Sequence, residues 1–162
     1  MMDPFSNLKI PDDWQEIKAP VDTTLKTFIS GDPEGDRLRV KYYKHLNGPR
    51  KGIRGLAWFG PGSEGPPDHA HGGSLSGVLD EAMGVAIWSE GKLAVAANLC
   101  IDFLSMVRLG SVAEFDAWIE KAEKRKVWTR AELRCEGKPC VSAEGLFIEV
   151  PLRLPLKGEA PS

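Results

Sequence analysis

Residues 71–88 read HGGSLSGVLDEAMGVAIW, and this stretch decides the fold. Leu75, Val78, Leu79, Ala82, Met83 and Ala86 fall at i, i+3, i+4, i+7, i+8 and i+11, one apolar face of a 3.6-residue period. The spacing predicts a helix over Ser74–Trp88, stopped by Gly91. Gly77 and Gly84 each weaken helix propensity by about 1 kcal/mol, so tertiary packing has to support this helix. Upstream, residues 60–73 read GPGSEGPPDHAHGG, eight Gly or Pro in fourteen. That composition fits either a loose linker or a shaped backbone leading into the helix.

Working outward, the remaining pattern is strand. Arg37–Tyr42 alternates charged and apolar residues, as a half-buried strand requires, and Ile53–Phe59 is a second strand beyond the Asn47-Gly48-Pro49 turn. After Gly91, Leu93, Val95, Ala97, Leu99, Ile101 and Phe103 are expected on one core-facing side of a long strand. Leu109-Gly110, the basic bend Lys124-Arg125-Lys126, and Glu136–Pro139 then punctuate Ala113–Ile119, Val127–Leu133 and Val141–Val150. Three successive hairpin links predict an antiparallel meander with one wet face. The pattern is α+β, with the sheet using the one long helix to cover its apolar face. Domain limits read as 1–35 for a lead-in packed on or beside the domain, 36–150 for the domain, and 151–162 for a flexible Pro-rich tail. A short helix is expected around Asp13–Ile17.

The chain has 162 residues with 21 Lys+Arg against 23 Asp+Glu, a net charge of −2, which suits one domain and argues against a dedicated nucleic-acid binder. No apolar run approaches the ~20 residues of a membrane span, and the opening MMDPFSNLKIPDDW has no apolar signal core. Three cysteines do not make a disulfide framework. The expectation is a cytoplasmic protein with neither membrane nor nucleic acid as partner.

Chemistry concentrates at the head of the helix. Its unpaired N–H groups and partial positive charge favour an anion or oxyanion, and glycines there admit a ligand to the backbone. His71-Gly72-Gly73 therefore reads either as a tight turn or as an oxyanion hole for an acyl carbon. Asp80 interrupts the apolar helix on a stripe with Ser76 and Gly84, either as a solvated residue or as a general base or nucleophile. Glu81 is expected to face solvent. His69 and His71 form an H-x-H pair with no third ligand in the sequence, so no metal is assigned. Cys100, Cys135 and Cys140 read as structural thiols, the last two flanking a hairpin loop. Lys121, Lys124, Arg125 and Lys126 form a basic bend, either a solvated turn or a grip for phosphate.

Taken together, Glu64-Gly65-Pro66-Pro67, His71-Gly72-Gly73, Leu79-Asp80-Glu81-Ala82-Met83-Gly84 and Ala97-Asn98-Leu99 resemble the hotdog-fold acyl-CoA thioesterases, in the phenylacetate-type and thioesterase-superfamily-member branch. The resemblance covers Gly52 to Val150. It implies an antiparallel sheet wrapped around one long helix, and a homodimer or dimer of dimers with sites between subunits. It also implies hydrolysis of an acyl-CoA or acyl-carrier-protein thioester to acid and thiol, with no cofactor because coenzyme A is part of the substrate. By the same resemblance the Gly72 N–H binds the thioester carbonyl, Asp80 of the neighbouring subunit activates water or attacks, and His71 orients the loop. Gly73 and Asn98 lie along the substrate, Met83 with Ile87 and Trp88 along the acyl path, and Arg125, Lys126 and Lys124 near the CoA phosphates. One departure stands out: sixteen residues after Asp80, where this branch often carries Ser or Thr, the chain has Ala96. A methyl cannot hold water. The departure leaves room for a non-hydrolytic acyl-thioester binder, or for a biosynthetic dehydratase or cyclase using the same site.

Overall fold

The long helix, α1 (Gly72–Trp88), buries Leu75, Val78, Leu79, Ala82, Met83 and Ala86, all six positions of the predicted face. It buries Val85 and Ile87 as well, so apolar contact extends beyond one stripe. The computed structural model describes residues 3–18, 27–30, 32, 34–45 and 50–151. Parts of the 1–35 lead-in and residues 152–162 of the expected tail lie outside the described residues.

Among the described residues, seven strands surround α1: β1 (Trp14–Ile17), β2 (Leu38–His45), β3 (Gly52–Phe59), β4 (Leu93–Phe103), β5 (Val112–Glu123), β6 (Lys126–Cys135) and β7 (Lys138–Val150). They form one antiparallel sheet in the order β1-β2-β3-β5-β6-β7-β4, the α+β hotdog arrangement that the sequence implied. The inward residues of β5, β6 and β7, including Phe115, Val127, Leu133 and Phe147, close on the helix. Gly145 permits a close approach, since a Cβ there would stand 2.7 Å from Phe147 and 3.1 Å from the Met83 sulfur.

Three expectations change. The segment expected as a short helix at Asp13–Ile17 is strand β1, paired to β2 from Trp14↔His45 to Ile17↔Tyr42. Trp14 and Ile17 are three apart and mimic a helical turn, but pairing with β2 and the tilted packing of Trp14 on Tyr43, with centroids 5.5 Å apart, hold the segment extended. The second change concerns the meander, which is β5-β6-β7 only. β4 lies beyond β7, from Leu93↔Val150 to Phe103↔Val141, so Leu109-Gly110 ends a crossing segment and not a hairpin. That segment is pinned on both sides. Leu104 and Ser105 N–H donate to the Cys140 carbonyl at 2.8 and 3.1 Å, and Ala70 N–H donates to the Val107 carbonyl at 2.8 Å.

The third change is in β4 itself. Its register shifts between Ala96 and Asn98, leaving Ala97 as a bulge. Directly opposed residues share a sheet face, so Val95 and Asn98 join the outer face with Ile148 and Leu146, while Leu99, Ile101 and Phe103 stay on the helix side. The expected single apolar side is therefore split. Much of it is also uncovered: Val95 is 51% exposed and Phe103 55%. On the outer face near the other edge, Phe5, Tyr43, Leu56 and Trp58 make a second small core. Farther along that face, Arg54 and Arg134 share Asp116, and Arg134 also holds Glu132.

Candidate active site

The Gly/Pro stretch is a shaped loop. After β3, a short 3-10 turn at Pro61–Ser63 leads back across itself, with the Ser63 hydroxyl donating to the Gly60 carbonyl at 2.7 Å. The Ser63 carbonyl then accepts the His71 N–H at 2.8 Å. Gly65 packs on His71 so closely that a Cβ would lie 2.7 Å from the His71 Cα. His69 turns aside, its Nδ1–H donating to the Pro67 carbonyl at 2.7 Å.

His71 is the N-cap of α1, extended at φ −64° and ψ 136°, and its Nδ1 accepts the Gly73 N–H at 2.8 Å. The proton of the neutral ring is therefore on Nε2, available to a ligand on this exposed side chain. Ser74 and Leu75 N–H both donate to the His71 carbonyl, at 2.9 and 3.3 Å. Of these first-turn donors, the Gly72 N–H alone has no acceptor among the described residues. A helix head with one free, pre-oriented donor is the element an oxyanion hole requires.

Asp80 lies two turns farther along α1 and is half-buried. Burial raises its carboxyl above the ordinary range, and the neighbouring Glu81 charge adds to the effect. Glu81, expected in solvent, instead accepts the buried Tyr42 hydroxyl at 2.6 Å, because β2 passes beneath this turn of the helix. Burial first, and then Glu81, holds Tyr42 well above its usual pKa. A carboxylate with a raised pKa is a stronger base, which suits general-base chemistry. Eight residues at 1.5 Å rise separate Asp80 from Gly72 by about 12 Å, too far for both to act on one carbonyl within a single chain.

The other predicted residues scatter. Met83 is fully buried against Gly145 and offers a ligand no surface. Asn98 is on the outer sheet face beside Lys121, Trp128 and Arg130, away from α1. Arg125 donates to the Glu149 carbonyl at 3.0 Å, and Lys124 occupies a left-handed position at φ +52° in the β5–β6 turn. Phe103 opposes Val141 and Lys126 opposes Ile148, seven residues along β7, so the basic turn lies about 23 Å from the helix head in its own chain. Ala96 faces the helix side opposite Phe147. Neither nearby serine replaces the missing hydroxyl freely, since Ser74 donates to the His71 carbonyl at 2.7 Å and Ser76 to that of Gly72 at 2.9 Å.

One feature escaped the sequence reading. Beside Gly72 runs an apolar groove of about 350 Å³, with Ala70 and Leu75 at its base and Phe103, Leu104 and Met106 along its side. The apolar run at Phe103-Leu104 and Met106, placed just where the strand ends, was the available signal.

Comparison with known proteins agrees with this geometry. The thioesterase superfamily profile matches residues 68–142, which span the end of the loop, α1, β4, β5, β6 and the start of β7. The acyl-coenzyme A thioesterase THEM4 of Xenopus laevis is 30% identical over 134 residues, covering 81% of this chain. This chain spans 60% of that relative's length. A solved thioesterase superfamily protein superposes with a TM-score of 0.63 at 29% identity, over 68% of this chain and 56% of that one. The PaaI protein of the E. coli phenylacetic acid degradation operon shares the fold, with a TM-score of 0.62 at 19% identity over 70% of this chain and 80% of its own. Loop, helix head and sheet order thus converge on one assignment: the chain belongs to the thioesterase superfamily, in its hotdog form.

Proposed function

We propose that this protein is a cytoplasmic thioesterase that hydrolyses an acyl-CoA or acyl-carrier thioester, with sites shared between two copies. The observation carrying the proposal is the free Gly72 N–H beside an exposed His71 Nε2–H. In this reading Gly72 receives the thioester oxygen, and Asp80 of the other copy takes a proton from water as the water oxygen bonds to the carbonyl carbon. The C–S bond then breaks, and the proton passes to the departing thiolate. Free acid and free thiol are released. The name of the Xenopus relative supports an acyl-CoA substrate.

Distance and the sheet edge support the second copy. Asp80 and Gly72 are about 12 Å apart on one helix. β4 is an eleven-residue edge with Val95, Leu99 and Phe103 exposed, an edge that pairs readily with another strand. Antiparallel pairing of two β4 strands brings the Leu93 end of one copy, with its Lys124-Arg125-Lys126 turn, toward the Phe103 end of the other. Basic side chains then approach the helix head, placed for CoA phosphates.

Ala96 favours a second reading, in which the site holds the thioester without cleaving it. Subunit mixing decides between them. Asp80→Ala and Gly72→Pro homodimers should each be inactive, while a 1:1 mixture should recover about one quarter of wild-type thiol release, because half the dimers carry one intact site of two. A mixture no more active than its dimeric parents overturns the shared site. Tight CoA-ester binding by a wild type that releases no thiol supports the non-hydrolytic reading.

A further inference from the structure

Building on the thioesterase reading, we propose that Phe103 is the specificity-determining residue of the site, restricting it to apolar acyl groups unbranched beside the carbonyl. A Cβ built on Gly72 would stand 3.3 Å from the ring's Cζ and 3.4 Å from Cε1, so the tip of the ring rests against the first residue of the helix. An oxygen accepting the Gly72 N–H has its acyl α-carbon only two bonds away, alongside that ring. A methyl on the α-carbon meets the ring edge, whereas a methylene chain slides past it.

The strand end that carries the ring is fixed. Phe103 ends β4 opposite Val141, and the next two residues donate their N–H groups to the Cys140 carbonyl. The groove beyond it, about 350 Å³ and open along one side, is within the ~300–1,000 Å³ typical of ligand pockets. Pro66, Ala70, Leu75, Leu104 and Met106 line it, with no ionisable side chain among its lining residues. An acyl group ending in a carboxylate would be desolvated there without a partner. The large exposed apolar side chains at 103, 104 and 106 are thereby explained as one wall of the acyl site.

The test compares kcat/KM for hexanoyl-CoA, 2-methylhexanoyl-CoA and succinyl-CoA in wild type, Phe103→Ala and Phe103→Leu, with dimer content checked by light scattering. Wild type should favour hexanoyl over both others. Phe103→Ala should narrow the hexanoyl to 2-methylhexanoyl ratio about tenfold or more, through a gain on the branched ester, with Phe103→Leu intermediate. Succinyl-CoA should remain poor in all three. A ratio unchanged in both variants, with hexanoyl turnover kept, overturns the proposal. The same ratio read as Kd on Asp80→Asn separates the two claims. Discrimination by binding together with no hydrolysis of any ester by the wild type removes the catalytic reading and keeps the Phe103 gate, and equal Kd values for straight and branched esters remove the gate.

Discussion

Replacing Gly72 with proline removes one hydrogen that the fold does not use. Gly72 is the first residue of α1, where proline's missing N–H and fixed φ are accommodated. His71 before it is already extended, the conformation a following proline demands. No hydrogen bond within the described residues is lost, because the Gly72 N–H has no acceptor there. Crowding comes from Phe103, 3.3 Å from the new Cβ, but that ring is more than half exposed and yields by a few tenths of an ångström. Against this, the stiffer unfolded chain returns about 0.4–1 kcal/mol. The net change in Tm should stay within about 4 °C for a chain of this size. Turnover should behave differently. Loss of one oxyanion donor raises the barrier by about 2.7–4 kcal/mol, a fall of roughly 10²–10³ in kcat. Gly72→Ala is the matched control, since it adds the same Cβ and keeps the donor. Thiol release from an acyl-CoA, with melting followed by circular dichroism, reads both quantities. If Gly72→Pro turns over within about threefold of Gly72→Ala, the free N–H is not the oxyanion donor and the mechanism fails.

Two further outcomes follow from the ionisable groups. Asp80 has a raised folded pKa, from burial first and Glu81 second, so its stabilising contribution is complete below about pH 4 and is lost as pH rises through the folded value. Asp80→Asn should therefore melt higher than wild type at pH 7, with the difference shrinking toward pH 3. A difference independent of pH would show that the carboxyl is not held up by its surroundings. Among the thiols, burial and then the adjacent Cys140 push Cys135 up to about 12, whereas Cys100 is exposed. Iodoacetamide at pH 8 should label Cys100 well before Cys135 in a peptide map, and early modification of Cys135 would contradict that burial.

Much of this architecture was legible because it is written in local periods. The six apolar positions from Leu75 to Ala86 are all buried, and His71-Gly72-Gly73 does sit at the helix head. What escaped depends on partners distant in sequence. Nothing local says that β4 joins β7 and not β5, a pairing set by the crossing segment bound to Cys140. The bulge at Ala97 was hidden because alanine fits an apolar alternation in either register. Glu81 looked solvated because the hydroxyl that reaches it belongs to Tyr42, thirty-nine residues earlier. Phe103 read as an ordinary core position, since alternation reports which side of a strand a residue takes and not whether that side is covered.

The sheet's two edges are unequal, and the inequality limits growth. Strands that pair edge to edge polymerise whenever each added copy exposes a fresh edge equal to the one consumed. In the proposed isologous pair, the long β4 edge of both copies is used at once. Among the described residues, what would remain at either end is β1, four residues long with Gln15 and Glu16 facing water, too short to template another chain. In that pair, the asymmetry that would bring two helix heads within reach of two carboxylates would also end the assembly, a stopping rule against fibrils written in strand lengths.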